Sequence, residues 1–332
     1  MAALIREEIS RGGPVSFERF MELALYHPQY GYYRRGRDPF GRQGDYFTAA
    51  QLQPVFGILM AACVSALYEE MGRPEDFTVV DLGAGRGEMA AAFAKWSYLG
   101  VDVERGSLPE RFCGVVFAHE FFDALPVSVA VRRGGGFIER RVDWNGERFA
   151  WVDGEEVAGE AASYLERYAG AAEEGGVAEV NLSALRWVEE LAARLERGFL
   201  LVIDYGYTAR ERVRYPAGTL MSYRRHAARE DVLAEPGEQD ITAHVCFTAL
   251  EEHAEARGFR TARRETLTQA LLRAGEPDAF AAALAADTEP ERVRRRMQLK
   301  TLLAGLGEAF RTLLLEKRPS EGEGPAGAGP EK

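Results

Sequence analysis

The residues with the clearest chemical potential lie in one run, Asp81-Leu82-Gly83-Ala84-Gly85-Arg86-Gly87. Glycine carries no Cβ, so a ligand can approach the backbone N–H groups of such a run closely. Where the run joins a strand to a helix, those N–H groups and the positive end of the helix dipole face the ligand together. The spacing is G-x-G-x-G, whereas a dinucleotide fingerprint would need its third glycine where Glu88 stands. A nicotinamide-linked oxidoreductase is therefore disfavoured. Asp81, two residues ahead of the first glycine, suits a ligand bearing an ammonium group, reached directly or through water. Asp102, about 20 residues on and ending Tyr98-Leu99-Gly100-Val101-Asp102, suits an acid at the next strand's end that holds both hydroxyls of a ribose. The plainer alternative is a glycine turn that only connects a strand to a helix; it would need neither acid.

Glu120 and Asp123, in His119-Glu120-Phe121-Phe122-Asp123, follow the apolar run Val115–Ala118. At the carboxyl end of a buried strand they would stand in the crevice where open α/β sheets bind ligands. Acids that merely begin a helix are the alternative. His244, alone in its segment, reads first as a structural histidine. Cys63, Cys113 and Cys246 and the five scattered histidines show neither metal-ligand nor disulfide spacing, so no metal and a reducing compartment are expected.

The elements that must position these residues follow from pattern. Phe77–Val80 is a β-branched run of strand length, and the alanine-rich stretch up to Trp96 reads as a helix, together the first half of a βαβ unit. Phe199–Ile203 is a second buried strand carrying Asp204-Tyr205-Gly206-Tyr207 at its end, and Thr219–Tyr223 a third. Residues 127–160 alternate, with a triple-glycine break and an Asn145-Gly146 turn, and predict an inserted antiparallel β-meander. Helical text is expected from Glu160 to Glu196, and again from Thr268 to Lys317. Ahead of the core, Ile5 and Ile9 mark one helix, Ser16 caps a second, and Val55–Tyr68 is a third, too short for a membrane span. The tail from Pro319 is Gly/Pro/Glu-rich and expected to be disordered.

The 332 residues carry a net charge of −11, which argues against general nucleic-acid affinity. The N-terminal residues do not read as a signal peptide. No membrane insertion is expected.

Several motifs resemble known families. The acid followed by G-x-G-x-G is similar to the first motif of S-adenosylmethionine-dependent methyltransferases. Tyr26-His27-Pro28-Gln29-Tyr30-Gly31-Tyr32-Tyr33, then Gly44-Asp45-Tyr46-Phe47-Thr48 before an apolar helix, begin a series. It continues through Asp81–Gly87, His119–Pro126, Asp204–Tyr207 and Gln239–Val245. In this order, over residues 10–316, the series resembles the MidA family, bacterial relatives of a mitochondrial complex I assembly methyltransferase.

The resemblance implies an α/β, Rossmann-like methyltransferase fold with the meander inserted and helices added at both ends. The expected divisions are a cap over 1–70, a core over 71–126 and 197–265, an insert over 127–196 on the substrate side, helices over 266–318 and a tail over 319–332. It implies S-adenosyl-L-methionine as cofactor, held by Asp81, Gly83, Ala84, Gly85, Gly87, Asp102, Thr48 and His119. It implies a cytoplasmic bacterial enzyme forming symmetric dimethylarginine on a respiratory complex I subunit, and a possible homodimer. A carboxylate must then hold the charged guanidinium; Glu120 is placed first, Asp123 second and Asp45 third.

The chain departs from the family pattern at His119 (usually asparagine), at Cys246 (usually an acid) and at Ala50-Gln51. It is also short between the glycine run and Glu120, so a helix and a strand of the sheet are expected to be missing, with Glu104 a substitute for Asp102. A non-catalytic assembly protein keeping this fold is the competing reading, and a small-molecule methyltransferase another, because fold does not fix substrate.

Overall fold

The computed structural model describes residues 1–34, 49–103 and 105–319. Asp45, Thr48, Glu104 and the tail from residue 320 lie outside the described residues.

The chain opens with α1 (Ala2–Gly12), a two-residue strand β1 (Val15–Ser16) and α2 (Phe17–Tyr26). Ser16 starts α2 as expected, its hydroxyl accepting the Arg19 N–H at 3.1 Å. After α3 (Val55–Glu70) come β2 (Phe77–Leu82), a single turn α4 (Ala90–Phe93), β3 (Ser97–Val101) and β4 (Phe112–His119). The described residues between β3 and β4 form no helix, in line with the short spacing. The meander follows as β5 (Ser128–Arg133), β6 (Gly136–Trp144) and β7 (Phe149–Glu156). Its second hairpin turns at Asn145, whose Oδ1 accepts the Glu147 and Arg148 N–H groups.

Residues 160–196 are not helical throughout. Between α5 (Gly159–Ala169) and α6 (Leu182–Arg194) lies β8 (Val177–Val180), paired antiparallel to β5. A run of four residues is too short for its period to show in sequence, and the free edge of the meander decides it. Then come β9 (Leu195–Tyr207), β10 (Met221–Arg224), β11 (Ala227–Arg229), β12 (Asp240–Thr242), β13 (Val245–Cys246), α7 (Phe247–Glu255) and β14 (Phe259–Thr266). Helices α8 (Leu267–Gly275), α9 (Ala281–Leu284) and α10 (Glu289–Thr301) lead to β15 (Phe310–Lys317).

That last strand corrects the helix expected up to Lys317. Phe310–Lys317 pairs antiparallel with β9 on one side and with β14 on the other. Leu313 and Leu315 join one hydrophobic core, Phe310 and Leu314 the other. Leucine favours a helix locally, but a slot flanked by two strands satisfies every backbone group of a strand instead.

Among the described residues the main sheet runs β14-β15-β9-β4-β2-β3, with β13 beside the end of β9. Strands β3, β2, β4 and β9 are parallel. Their side chains alternate between two cores, as for a sheet covered on both faces. Val79, Val115, Phe117 and Leu201 face α3 and α8, while Val80, Val116, Ala118 and Val202 face α6 and α7. A third core ties α1 and α2 to the meander and β12 through Phe17, Phe20, Val129, Val142 and Ile241. From β2 the chain passes to β3 on one side and then to β4 on the other. This reversal puts a crevice at the carboxyl ends of β2 and β4.

Candidate active site

Asp81 sits near the end of β2, 3% exposed, its Oδ2 accepting the Tyr98 hydroxyl from β3 at 2.7 Å. Burial pushes its carboxyl up to about 7, against the pull of that hydrogen bond. A cation placed beside it would tip it to the charged form. Gly83, Gly85 and Gly87 follow with φ of 69°, 52° and 84°. A Cβ at Gly83 would lie 3.1 Å from the Phe121 ring, so both conformation and space require glycine there.

Asp102 stands just past β3. Its Oδ2 accepts the Gly85 N–H at 2.7 Å and its Oδ1 the Val103 N–H at 2.6 Å. The acid braces the turn as well as lining the space in front of it. Tyr98 and this bracing contact went unseen in the sequence; a hydroxyl one strand away leaves no local signal.

In front of these residues opens a cleft of about 610 Å³. Its lining includes Asp81, Gly83, Ala84, Gly85, Asp102, His119 and Glu120, and does not include Gly87. Apolar walls come from Phe117, Phe121 and Trp187, the last two meeting edge to face at 5.1 Å. This volume and mixed lining suit a ligand of nucleoside-plus-amino-acid size.

Glu120 leaves β4 with φ 52°, left-handed for a residue with a Cβ, at a cost of about 1–3 kcal/mol. Its N–H donates to the Ile203 carbonyl at 3.0 Å, and the Ala49 N–H donates to its carboxyl. Oε1 is buried with no hydrogen-bond partner among the described residues. His119 Nε2 is 3.3 Å away but lacks hydrogen-bond geometry. The His119 ring is walled by Phe56 and Phe310, and burial holds its pKa down to about 3, so it stays neutral. Burial, with nearby Asp123, pushes the Glu120 carboxyl well above the usual range.

On its far side Glu120 also lines a second, smaller cavity of about 90 Å³. Asp123, Asp240, Tyr33, Tyr205, Tyr223 and His244 share that lining. Tyr33 donates its hydroxyl to Asp240 Oδ1 at 2.7 Å. Behind the chamber, fully buried Asp204 accepts the N–H groups of Phe121, Phe122 and Asp123 on Oδ2 and of Tyr205 on Oδ1. We assign the proton of the Asp123–Asp204 pair to Asp123, because Asp204 is already solvated by four backbone donors. Burial and the neighbouring Asp204 and Asp240 hold the Asp123 carboxyl well up. Asp204 and Asp240 belong to motifs legible in the sequence, but their convergence on Glu120 needs β9 and β12 to be placed.

The predicted residues thus divide cleanly. Asp81, Gly83, Ala84, Gly85, Asp102 and His119 gather on the cleft, Asp123 on the chamber, and Glu120 on both. The strand order, the glycine turn and the acids at successive strand ends define an S-adenosyl-L-methionine-dependent methyltransferase. A family model for S-adenosyl-L-methionine-dependent methyltransferases matches residues 92–264. The chain belongs to that family, in its MidA-like branch.

It is 29% identical to the mitochondrial protein arginine methyltransferase NDUFAF7 homolog of Drosophila melanogaster, covering 78% of this chain and 70% of that one. To the human mitochondrial protein arginine methyltransferase NDUFAF7 it is 26% identical, covering 75% and 68%. A crystal structure from Burkholderia thailandensis, bound to S-adenosyl-homocysteine, superposes with a TM-score of 0.86 at 30% identity over 95% of this chain and 91% of that one. The cofactor is S-adenosyl-L-methionine. The buried acid, the glycine cradle and the cleft fit it, and they favour an enzyme over the non-catalytic reading.

Proposed function

We propose that this chain methylates an arginine side chain of a protein substrate, with Glu120 as the carboxylate that holds the guanidinium. The observation that carries this reading is the position of Glu120, among the described residues the carboxylate common to the cofactor cleft and the acidic chamber. A group seated in the chamber would reach the cleft past its side chain. The names of the relatives support arginine as the target; a subunit of respiratory complex I, implied by the MidA resemblance, is the candidate substrate. Symmetric dimethylation and a cytoplasmic site of action complete the reading.

When bound, S-adenosyl-L-methionine supplies an electrophilic methyl group. The residues of the chain orient and desolvate. Asp81 and the amides of Gly83–Gly85 would hold the amino-acid end, and Asp102 the ribose. Guanidinium stays charged at neutral pH, so a carboxylate must accept its N–H groups, fix its plane and offset charge as the new bond forms. Orientation of this kind is worth roughly 7–11 kcal/mol of the barrier. Asp123, behind Glu120, is the second candidate for this contact. Asp45 and Thr48 keep their proposed roles on resemblance alone.

The test is incubation with methyl-labelled cofactor and cell lysate, followed by mass spectrometry of the labelled residue. Label on arginine is expected; label only on another residue type or on small molecules overturns the reading. Glu120→Gln should bind S-adenosyl-homocysteine as the parent does while turnover falls by about 10²–10³-fold. Turnover at the parent rate would remove Glu120 from the role.

A further inference from the structure

The contact between Asp81 and Tyr98 is built by the register of the sheet. Asp81 of β2 stands opposite Gly100 of β3, and Val79 opposite Tyr98. Tyr98 and Gly100 are two residues apart and so share one face of β3. At about 3.3 Å per residue, the Tyr98 side chain must run about 6.6 Å along the strand to come level with Asp81. Its path crosses Gly100, where a Cβ would lie 3.3 Å from the Tyr98 hydroxyl oxygen and 3.0 Å from the Ala84 Cβ. Gly100 has no positive φ, so glycine there supplies space and not a turn. Fully buried Phe93 of α4 flanks the tyrosine ring, with centroids 6.3 Å apart. The hydroxyl so placed donates to Oδ2 of Asp81 at 2.7 Å. Asp81 lines the cofactor cleft, whereas Tyr98 is not among the described residues that line it.

We propose that Tyr98 is a positioning residue for the cofactor: lying over Gly100, its hydroxyl holds one oxygen of Asp81 so that the carboxylate is fixed to receive the ammonium group of S-adenosyl-L-methionine. The inference rests on the reading that Asp81 holds that ammonium, and adds to it the residue that sets the orientation of the acid. A buried carboxylate needs a donor to stay charged, and a rotamer pinned before the ligand arrives loses no freedom on binding. Burial pushes the Asp81 carboxyl up, and the Tyr98 hydroxyl pulls against it. Among the described residues, Glu88 of the turn and Asp102 beyond β3 oppose charge on Asp81. Arg86 of the turn, ion-paired with Glu88, lines the same cleft, as do Glu120 and the neutral His119 at the end of β4. Arg105 acts on Tyr98 and donates to the Gly85 carbonyl. These groups are common to the parent and to a variant lacking only the hydroxyl, so comparing the two isolates the hydroxyl.

The test is calorimetry of S-adenosyl-homocysteine binding to the full chain from pH 5.5 to 8.5, for the parent and for Tyr98→Phe, which keeps the ring against Phe93. Removing a donor that favours the carboxylate raises the pH at which Asp81 ionises. The rise of affinity with pH should therefore move upward by roughly one unit. At pH 6.5 the variant should bind about 3–10-fold more weakly, and at pH 8.5 within about threefold of the parent. On an Asp81→Asn background the same change should leave the pH profile flat and cost less than about twofold. A loss of equal size at every pH, or an equal loss on both backgrounds, would mean that Tyr98 only packs, and overturns the inference. So does a variant profile that superimposes on a sloping parent profile, with the role of Asp81 left standing. A parent profile that is itself flat overturns both.

Discussion

At the scale of single residues, Asp81 links the cleft to pH. Its carboxyl sits at about 7 in the folded chain against an ordinary value of about 3.9. The charged form is therefore penalised by folding, and this group takes stability away as pH rises from about 4 to 7, with no further loss above. An ammonium beside it reverses that penalty. Affinity for S-adenosyl-homocysteine should accordingly climb between pH 5.5 and 7 and level off above. Asp81→Asn should bind more weakly and flatten the profile; a parent profile flat from pH 5 to 8 would separate Asp81 from the ligand. Gly85→Val puts a β-branched side chain at φ 52° beside the cleft. It should remove binding of S-adenosyl-homocysteine in calorimetry while far-UV circular dichroism stays close to the parent's.

At the scale of elements, β15 is where the last described segment enters the main core. Leu313 is fully buried between β9 and β14. Leu313→Ala should lower unfolding free energy by about 2–5 kcal/mol in urea titration. Truncation after Arg318 keeps every described strand of the sheet and should leave the melting temperature unchanged. Truncation after Ala309 removes β15 and exposes the edges of β9 and β14, so the product should be insoluble or unfolded. A soluble, cofactor-binding protein ending at Ala309 would contradict the register described. The turn after β4 depends on Asp204 in the same way, since four backbone N–H groups converge on one carboxylate.

At the scale of the molecule, the cofactor cleft joins parts distant in the chain: the N-terminal cap at Glu22 and Tyr26, the ends of β2, β3 and β4, and Trp187 of α6. Ligand bound there should stabilise the whole fold. At about 100 times its dissociation constant, S-adenosyl-homocysteine should add about 2.7 kcal/mol, seen as a higher melting temperature in calorimetry. Gly85→Val should show no such gain. An equal gain in that variant would mean the ligand sits elsewhere.

Much of this was legible in the residues alone. Asp81–Gly87 marked the glycine turn because the requirement is local: a backbone with positive φ and an acid two positions away. Ser16, Asn145-Gly146 and the β-branched strands were legible for the same reason. Alternating glycine spacing, with Glu88 where a third fingerprint glycine would stand, by itself disfavours a dinucleotide. What tertiary structure alone decided was non-local. Phe310–Lys317 and Val177–Val180 became strands because open edges stood beside them, against local helical text. Tyr98 became the partner of Asp81 across two strands. Asp204 and Asp240 became neighbours of Glu120 only when β9 and β12 were set beside β4. Backbone conformation is dictated by neighbours in the chain, whereas charge coupling depends on distance in space, which residue order does not record.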